Sequence, residues 1–134
     1  MFAQPYILLI DDDEDDLEIL SSELEQKGLH VKPFTSSAKA LFYLTLMSGN
    51  MDLPALIIMD YNMPLKNGYQ ILLLLKGNAE TSDVPVVLYS TSMSGALRKQ
   101  LITAGALDCF AKPWTYRELT TQAEIFRELT YSHA

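Results

Sequence analysis

Five short apolar runs, each followed by a stretch with helical periodicity, constrain this chain more than any other feature of it. The runs are YILLI at 6–10, LHVKPF at 29–34, ALIIMD at 55–60, VPVVLYS at 84–90 and LDCFAK at 107–112. Continuous apolar runs of this length suit strands covered on both faces, not strands with one wet side. Between them the period changes. Leu17, Leu20 and Leu24 recur at spacings of three and four, so residues 13–27 read as an amphipathic helix with an acidic first turn and Gly28 as its stop. Four more helices are expected: 36–49 with Ser36 or Ser37 as cap, 68–77, 94–104 ended by Gly105, and 116–131 with Leu119, Ala123 and Phe126 on one stripe. Strict alternation of strand and helix predicts an α/β fold, a parallel sheet with helices on both faces. Pro33 has no N–H for a ladder, which puts the second strand near an edge.

A chain of 134 residues fits one domain, 1–134, and we find no linker, internal repeat or low-complexity segment in it. It is 49% hydrophobic and 20% charged, enough for an ordinary core. The net charge of −7 argues against binding nucleic acid by itself and against docking on anionic membrane lipid. Cys109 is the only cysteine, which excludes an internal disulfide and a Cys-rich zinc site. The start, MFAQPYILLI, lacks the basic segment and long apolar core of a signal peptide, and no run of about 18 apolar residues exists to span a bilayer. A cytoplasmic location is the expectation.

Ligands of open parallel α/β sheets bind beyond the carboxyl ends of the strands. What the strands carry there is therefore informative. The first ends in Asp11 and Asp12, the third in Asp60, the fourth in Ser90 and Thr91, and the fifth in Lys112 followed by Pro113. Three carboxylates, a hydroxyl and an amine thus converge on one rim. Carboxylates at close range raise one another's pKa. A hard divalent cation relieves this, and oxygen ligands suit Mg²⁺. Mg²⁺, a lysine and a hydroxyl donor form a set that holds a phosphoryl group, and a carboxylate can serve as its nucleophile. Asp13 to Asp16, past the strand, read as solvated acids at the start of the first helix.

Taken together, LLIDDDEDD, IIMDYNMPLKNGY, VVLYSTS and FAKPWTYREL resemble the receiver domain of two-component response regulators, the chemotaxis-regulator-like family. The likeness covers nearly the whole chain, in order, and D-x-N-M-P-x-x-x-G at 60–68 with K-P at 112–113 is specific in combination. It implies a flavodoxin-like (βα)5 fold with strand order 2-1-3-4-5. It implies that Asp60 is the phospho-acceptor and that Asp11, Asp12, Asp60 and the backbone carbonyl of Asn62 hold Mg²⁺, Asp12 directly and Asp11 often through water. Ser90 becomes the switch hydroxyl and Lys112 the phosphoryl partner, with a cis Lys112–Pro113 bond, while Pro64 and Gly68 shape the loop after the acceptor. A stand-alone switch follows. It accepts its phosphoryl group from a histidine kinase or histidine phosphotransfer protein, and it presents a changed surface of helix 4, strand 5 and helix 5 to a target. It is not a turnover enzyme, since it catalyses only its own phosphorylation and dephosphorylation. Homodimerisation through helices 4 and 5 is a habit of the family.

Rival motifs fail. An EF-hand loop from Asp11 needs Gly and Glu where Asp16 and Ser22 stand, and no P-loop is present. Haloacid-dehalogenase-type phosphatases carry a second acid two residues after the nucleophile, where Asn62 cannot transfer a proton. His30 and His133 lack the surroundings of a phospho-donor histidine. One departure from the family is Cys109, three residues before Lys112, where the family usually has the Tyr or Phe that reports the switch. Phe110 is expected on the opposite face, Trp114 is the remaining nearby aromatic, and Cys109 reads as a small packed residue. The alternative function is a pseudo-receiver, a binding scaffold that is never phosphorylated.

Overall fold

The computed structural model describes residues 4–49 and 52–133. Strands and helices alternate through them: β1 (Tyr6–Ile10), α1 (Glu14–Gln26), β2 (His30–Phe34), α2 (Ser37–Met47), β3 (Leu56–Asp60), α3 (Gly68–Gly77), β4 (Val86–Ser90), α4 (Gly95–Thr103), β5 (Asp108–Ala111) and α5 (Tyr116–Ser132). All five strands are parallel, in the order β2-β1-β3-β4-β5, so the flavodoxin-like arrangement holds and Pro33 does lie in an edge strand.

Side-chain parity along the strands divides the core. Leu8, Ile10, Ile57, Met59, Val86, Leu88 and Cys109 pack on one face with residues of α2, α3 and α4, among them Leu44, Ile71, Leu72 and Leu101. Ile7, Leu9, Leu56, Ile58, Val87 and Tyr89 pack on the other, with Leu17, Leu20 and Leu24 of α1 and Ala123 and Phe126 of α5. The three central strands are buried on both sides, which is why they read as unbroken apolar runs. Each such side chain contributes roughly 1.5–3 kcal/mol by leaving water.

Element ends follow local chemistry. Asp13 caps α1, accepting the N–H groups of Asp15 and Asp16 at 2.9 and 3.1 Å. Of the two serines considered for α2, Ser36 is the cap. Asn67 and Gln70 form a reciprocal capping box at α3. Gly105 after α4 takes a φ of 115°, a region that disfavours a side chain. β4 starts at Val86, two residues later than expected: Val84 turns its N–H back to Thr81 O, and Pro85 has none to give.

A second expectation is corrected. No cis peptide bond occurs among the described residues, so Lys112–Pro113 is trans. Trans is the ordinary preference of an X–Pro bond by about 0.5–1 kcal/mol. In that geometry the Lys112 N–H still donates to Ser90 O at 2.8 Å. No helix among the described residues is long and apolar enough to cross a membrane.

Candidate functional site

Strand order reverses direction between β1 and β3, and their carboxyl ends deliver Asp11 and Asp60 side by side. Both are buried, at 0% and 2% exposure, while Asp12 faces solvent. One carboxylate oxygen from each of Asp11, Asp12 and Asp60 lies within 4.8 Å of the other two. Parity explains the pairing. Asp11 continues the series Ile7, Leu9, and Asp60 continues Leu56, Ile58, so both point to the α1/α5 face.

Lys112 follows Phe110 on that same face, and its Nζ reaches Asp60 Oδ2 at 3.3 Å, Asp11 Oδ2 at 3.2 Å and Asp16 Oδ2 at 2.9 Å. Residues 13–15 are exposed, as the sequence suggested, whereas Asp16, with its side chain 42% exposed, is the exception that pairs with Lys112. Asp16 lies one helical turn before Leu20 and two before Leu24, on the stripe that faces the sheet. Burial alone would lower the Lys112 pKa, but the hydrogen bond to Asp16 and the charges of Asp11 and Asp60 more than offset it and hold the amine above its ordinary value. Asp60 is pushed up to about 6, first by burial and then by the charge of Asp11; the N–H of Asn62 and the Lys112 ammonium act against this. Three carboxylates (Asp11, Asp16 and Asp60) share a single ammonium, Asp12 lies in the same cluster as Asp11 and Asp60, and the oxygen-only donor set fits a hard divalent cation such as Mg²⁺.

On the opposite parity stands Ser90. Its Oγ accepts from the side-chain Nδ2 of Asn62 at 2.8 Å and donates to Ser92 O at 3.1 Å. Asn62 also donates its backbone N–H to Asp60 Oδ1 at 3.0 Å, so one residue ties the acid to the hydroxyl. The loop between them is held close: a Cβ on Gly68 would stand 2.5 Å from Leu88 Cδ2 and 2.8 Å from Tyr61 Cα, which leaves room for hydrogen only. Cys109 is buried at 3% exposure in the α2–α4 face of the core, the small packed residue expected. Phe110 lies on the other face, edge-on to Phe126 at 5.2 Å between centroids. Trp114 is 85% exposed.

Sequence reasoning missed two members of the site, Asp16 and Tyr89. Tyr89 pairs in register with Asp60, its hydroxyl donates to Asp11 Oδ2 at 2.5 Å, and Lys112 Nζ stands 5.0 Å from its ring centroid. The signal was its place one residue before Ser90, which sets it on the parity of the acids.

Residues 7–124 match the family described as the response regulator receiver domain. Among curated relatives, the chain is 33% identical over 110 residues to the two-component response regulator ORR3 of Oryza sativa subsp. indica, covering 82% of this chain and 81% of that protein. It is 32% identical over 122 residues to the transcriptional regulatory protein PrrA of Mycobacterium tuberculosis, covering 91% of this chain and 49% of that one. The chain therefore spans about half the length of the PrrA relatives it matches. Among solved structures it superposes on the phosphorylated cyanobacterial phytochrome response regulator RcpA with TM-score 0.82 at 24% identity, covering 98% and 97% of the two chains. A response regulator from Desulfuromonas acetoxidans superposes with TM-score 0.75 at 26% identity, covering 96% and 100%.

Proposed function

This chain belongs to the response regulator receiver domain family of two-component signalling, and from that premise we propose that it is a Mg²⁺-dependent switch phosphorylated on Asp60. Receiver domains are signalling domains and not classical enzymes. The observation that carries the reading is the juxtaposition of Asp60, 3.3 Å from the Lys112 ammonium, with the carboxylates of Asp11 and Asp12 within 4.8 Å.

The donor is a phosphohistidine presented by a histidine kinase or a phosphotransfer protein. An Asp60 carboxylate oxygen attacks the phosphorus in line; the P–N bond breaks, the imidazole leaves with its electron pair, and an acyl phosphate forms. A Mg²⁺ ion held by Asp11, Asp12, Asp60 and the Asn62 carbonyl would offset charge on the transferred oxygens. Lys112 trades its contact with Asp60 Oδ2 for a phosphoryl oxygen. Ser90 gives up its donation to Ser92 O, leaves Asn62 Nδ2 and donates to another. That exchange of partners biases a two-state equilibrium read at α4, β5 and α5, where Leu107, Trp114 and Tyr116 stand exposed for a target protein.

Beryllofluoride with Mg²⁺ imitates an acyl phosphate and tests this by NMR. Amide shifts are expected at Asp60, at Ser90 to Ser92, at Lys112 and across α4–β5–α5. Ser90→Ala is expected to keep the changes in the pocket and lose those on the distant face. Failure of the parent chain to bind the mimic would favour the pseudo-receiver, for which Cys109 at the usual aromatic position is the supporting observation, and saturation without any change beyond the pocket would overturn the two-state readout.

A further inference from the structure

Tyr89 is a site group whose type the phosphoryl chemistry does not require. Any apolar side chain would serve the α1/α5 face at that position, and Val87 does so two residues earlier. A phenol stands there instead, 4% exposed, and its hydroxyl is spent on Asp11. Burial and the adjacent charges of Asp11, Asp60 and Asp16 push its ionisation far above the physiological range, so it remains a donor.

The effect on Asp11 is a matter of counting. A carboxylate offers about four lone-pair sites. Asp11 Oδ1 accepts the Asp13 N–H at 2.9 Å, and Oδ2 accepts the Lys112 ammonium at 3.2 Å and the Tyr89 hydroxyl at 2.5 Å. One site remains. Asp12 has no such load: it is exposed, and it lies in the same carboxylate cluster. The two adjacent acids are therefore unequal before any ligand arrives.

We infer that Tyr89 is a positioning residue whose hydroxyl competes with the divalent cation for Asp11 Oδ2. It occupies that oxygen and sets the pocket's cation affinity lower than its carboxylates alone would give. The inference rests on the proposed Mg²⁺ site and deepens it. Linkage makes the effect reciprocal: whatever free energy Tyr89 loses when the cation binds reappears as weakened binding.

The test titrates Mg²⁺ into the unphosphorylated parent chain, Tyr89→Phe and Tyr6→Phe by calorimetry, and follows the tyrosine near-ultraviolet difference spectrum. Tyr6 is a second hydrogen-bonded phenol, tied to Tyr43 and Asp52 at the far end of β1, and it controls for loss of a hydroxyl as such. Tyr89→Phe is expected to bind Mg²⁺ about fivefold more tightly or better, the low end of ordinary site-to-site coupling. Tyr6→Phe is expected to match the parent. Mg²⁺ should perturb tyrosine absorbance in the parent and in Tyr6→Phe and perturb it less in Tyr89→Phe, where Tyr61 beside Asp60 is the tyrosine left near the cation. Unchanged or weaker binding in Tyr89→Phe overturns the inference and leaves the Mg²⁺ site standing. Absence of binding in the parent overturns the site and the inference together.

Discussion

Asp60→Asn is expected to be more stable than the parent chain at pH 7.5 without Mg²⁺, by on the order of 2 kcal/mol. The reason is the buried charge. Asp60 titrates at about 6 in the folded chain against an ordinary 3.8. Between those values the folded state holds a proton that the unfolded chain has released. Stability therefore falls as pH rises through that window, and the whole penalty is present above it. Asparagine imitates the protonated acid. It can still accept the Asn62 N–H, and it leaves Lys112 to Asp11 and Asp16. Urea unfolding at pH 7.5 and pH 4.5, in the presence of a chelator, measures the difference. The advantage should shrink toward the lower pH, and saturating Mg²⁺ should narrow it at the higher one by stabilising the parent. A variant less stable than the parent at pH 7.5 would mean that Asp60 contributes more through Lys112 than its burial costs.

Lys112→Met should behave in the opposite sense. Methionine keeps much of the length and removes the charge. The Lys112 side chain is 13% exposed and Asp11 is fully buried, so the change leaves Asp11 and Asp60 without their cation. Breaking a buried pair in this way costs about 3–5 kcal/mol. In chelator the melting temperature is expected to fall accordingly. Because the pocket then holds carboxylates and no ammonium, Mg²⁺ should raise the melting temperature of the variant more than that of the parent. Equal stability in chelator would contradict the account that Asp11 and Asp60 depend on the Lys112 ammonium.

Much of this arrangement is legible in the chain itself. Period-two burial on both faces makes β1, β3 and β4 stand out as apolar runs, and the stripe of Leu17, Leu20 and Leu24 marks α1. Neither pattern contains the strand order, because pairing between distant runs leaves no local trace; that came from the likeness to a family. Asp11, Asp12, Asp60 and Lys112 were found because each sits at the carboxyl end of a strand. Asp16 and Tyr89 were missed for opposite reasons. Asp16 was hidden in a run of acids, where composition suggested solvent and only its spacing from Leu20 and Leu24 said otherwise. Tyr89 was hidden in an apolar run, where an aromatic reads as core, and its ring is core: only the hydroxyl reaches Asp11. In both cases the backbone position mattered more than the residue's ordinary habit. The Lys112–Pro113 bond is different again: cis was implied only by the likeness to a family, and the bond keeps the ordinary trans preference of X–Pro.

The central claim is that Asp60 takes a phosphoryl group in a reaction that needs Mg²⁺. Intact-mass spectrometry after incubation with acetyl phosphate or phosphoramidate tests it directly, on the parent chain with Mg²⁺, the parent in chelator, and Asp60→Asn with Mg²⁺. One added phosphoryl group in the first sample and none in the other two is the predicted result. A phosphoryl group that persists in Asp60→Asn, or that forms equally well in chelator, would contradict the account.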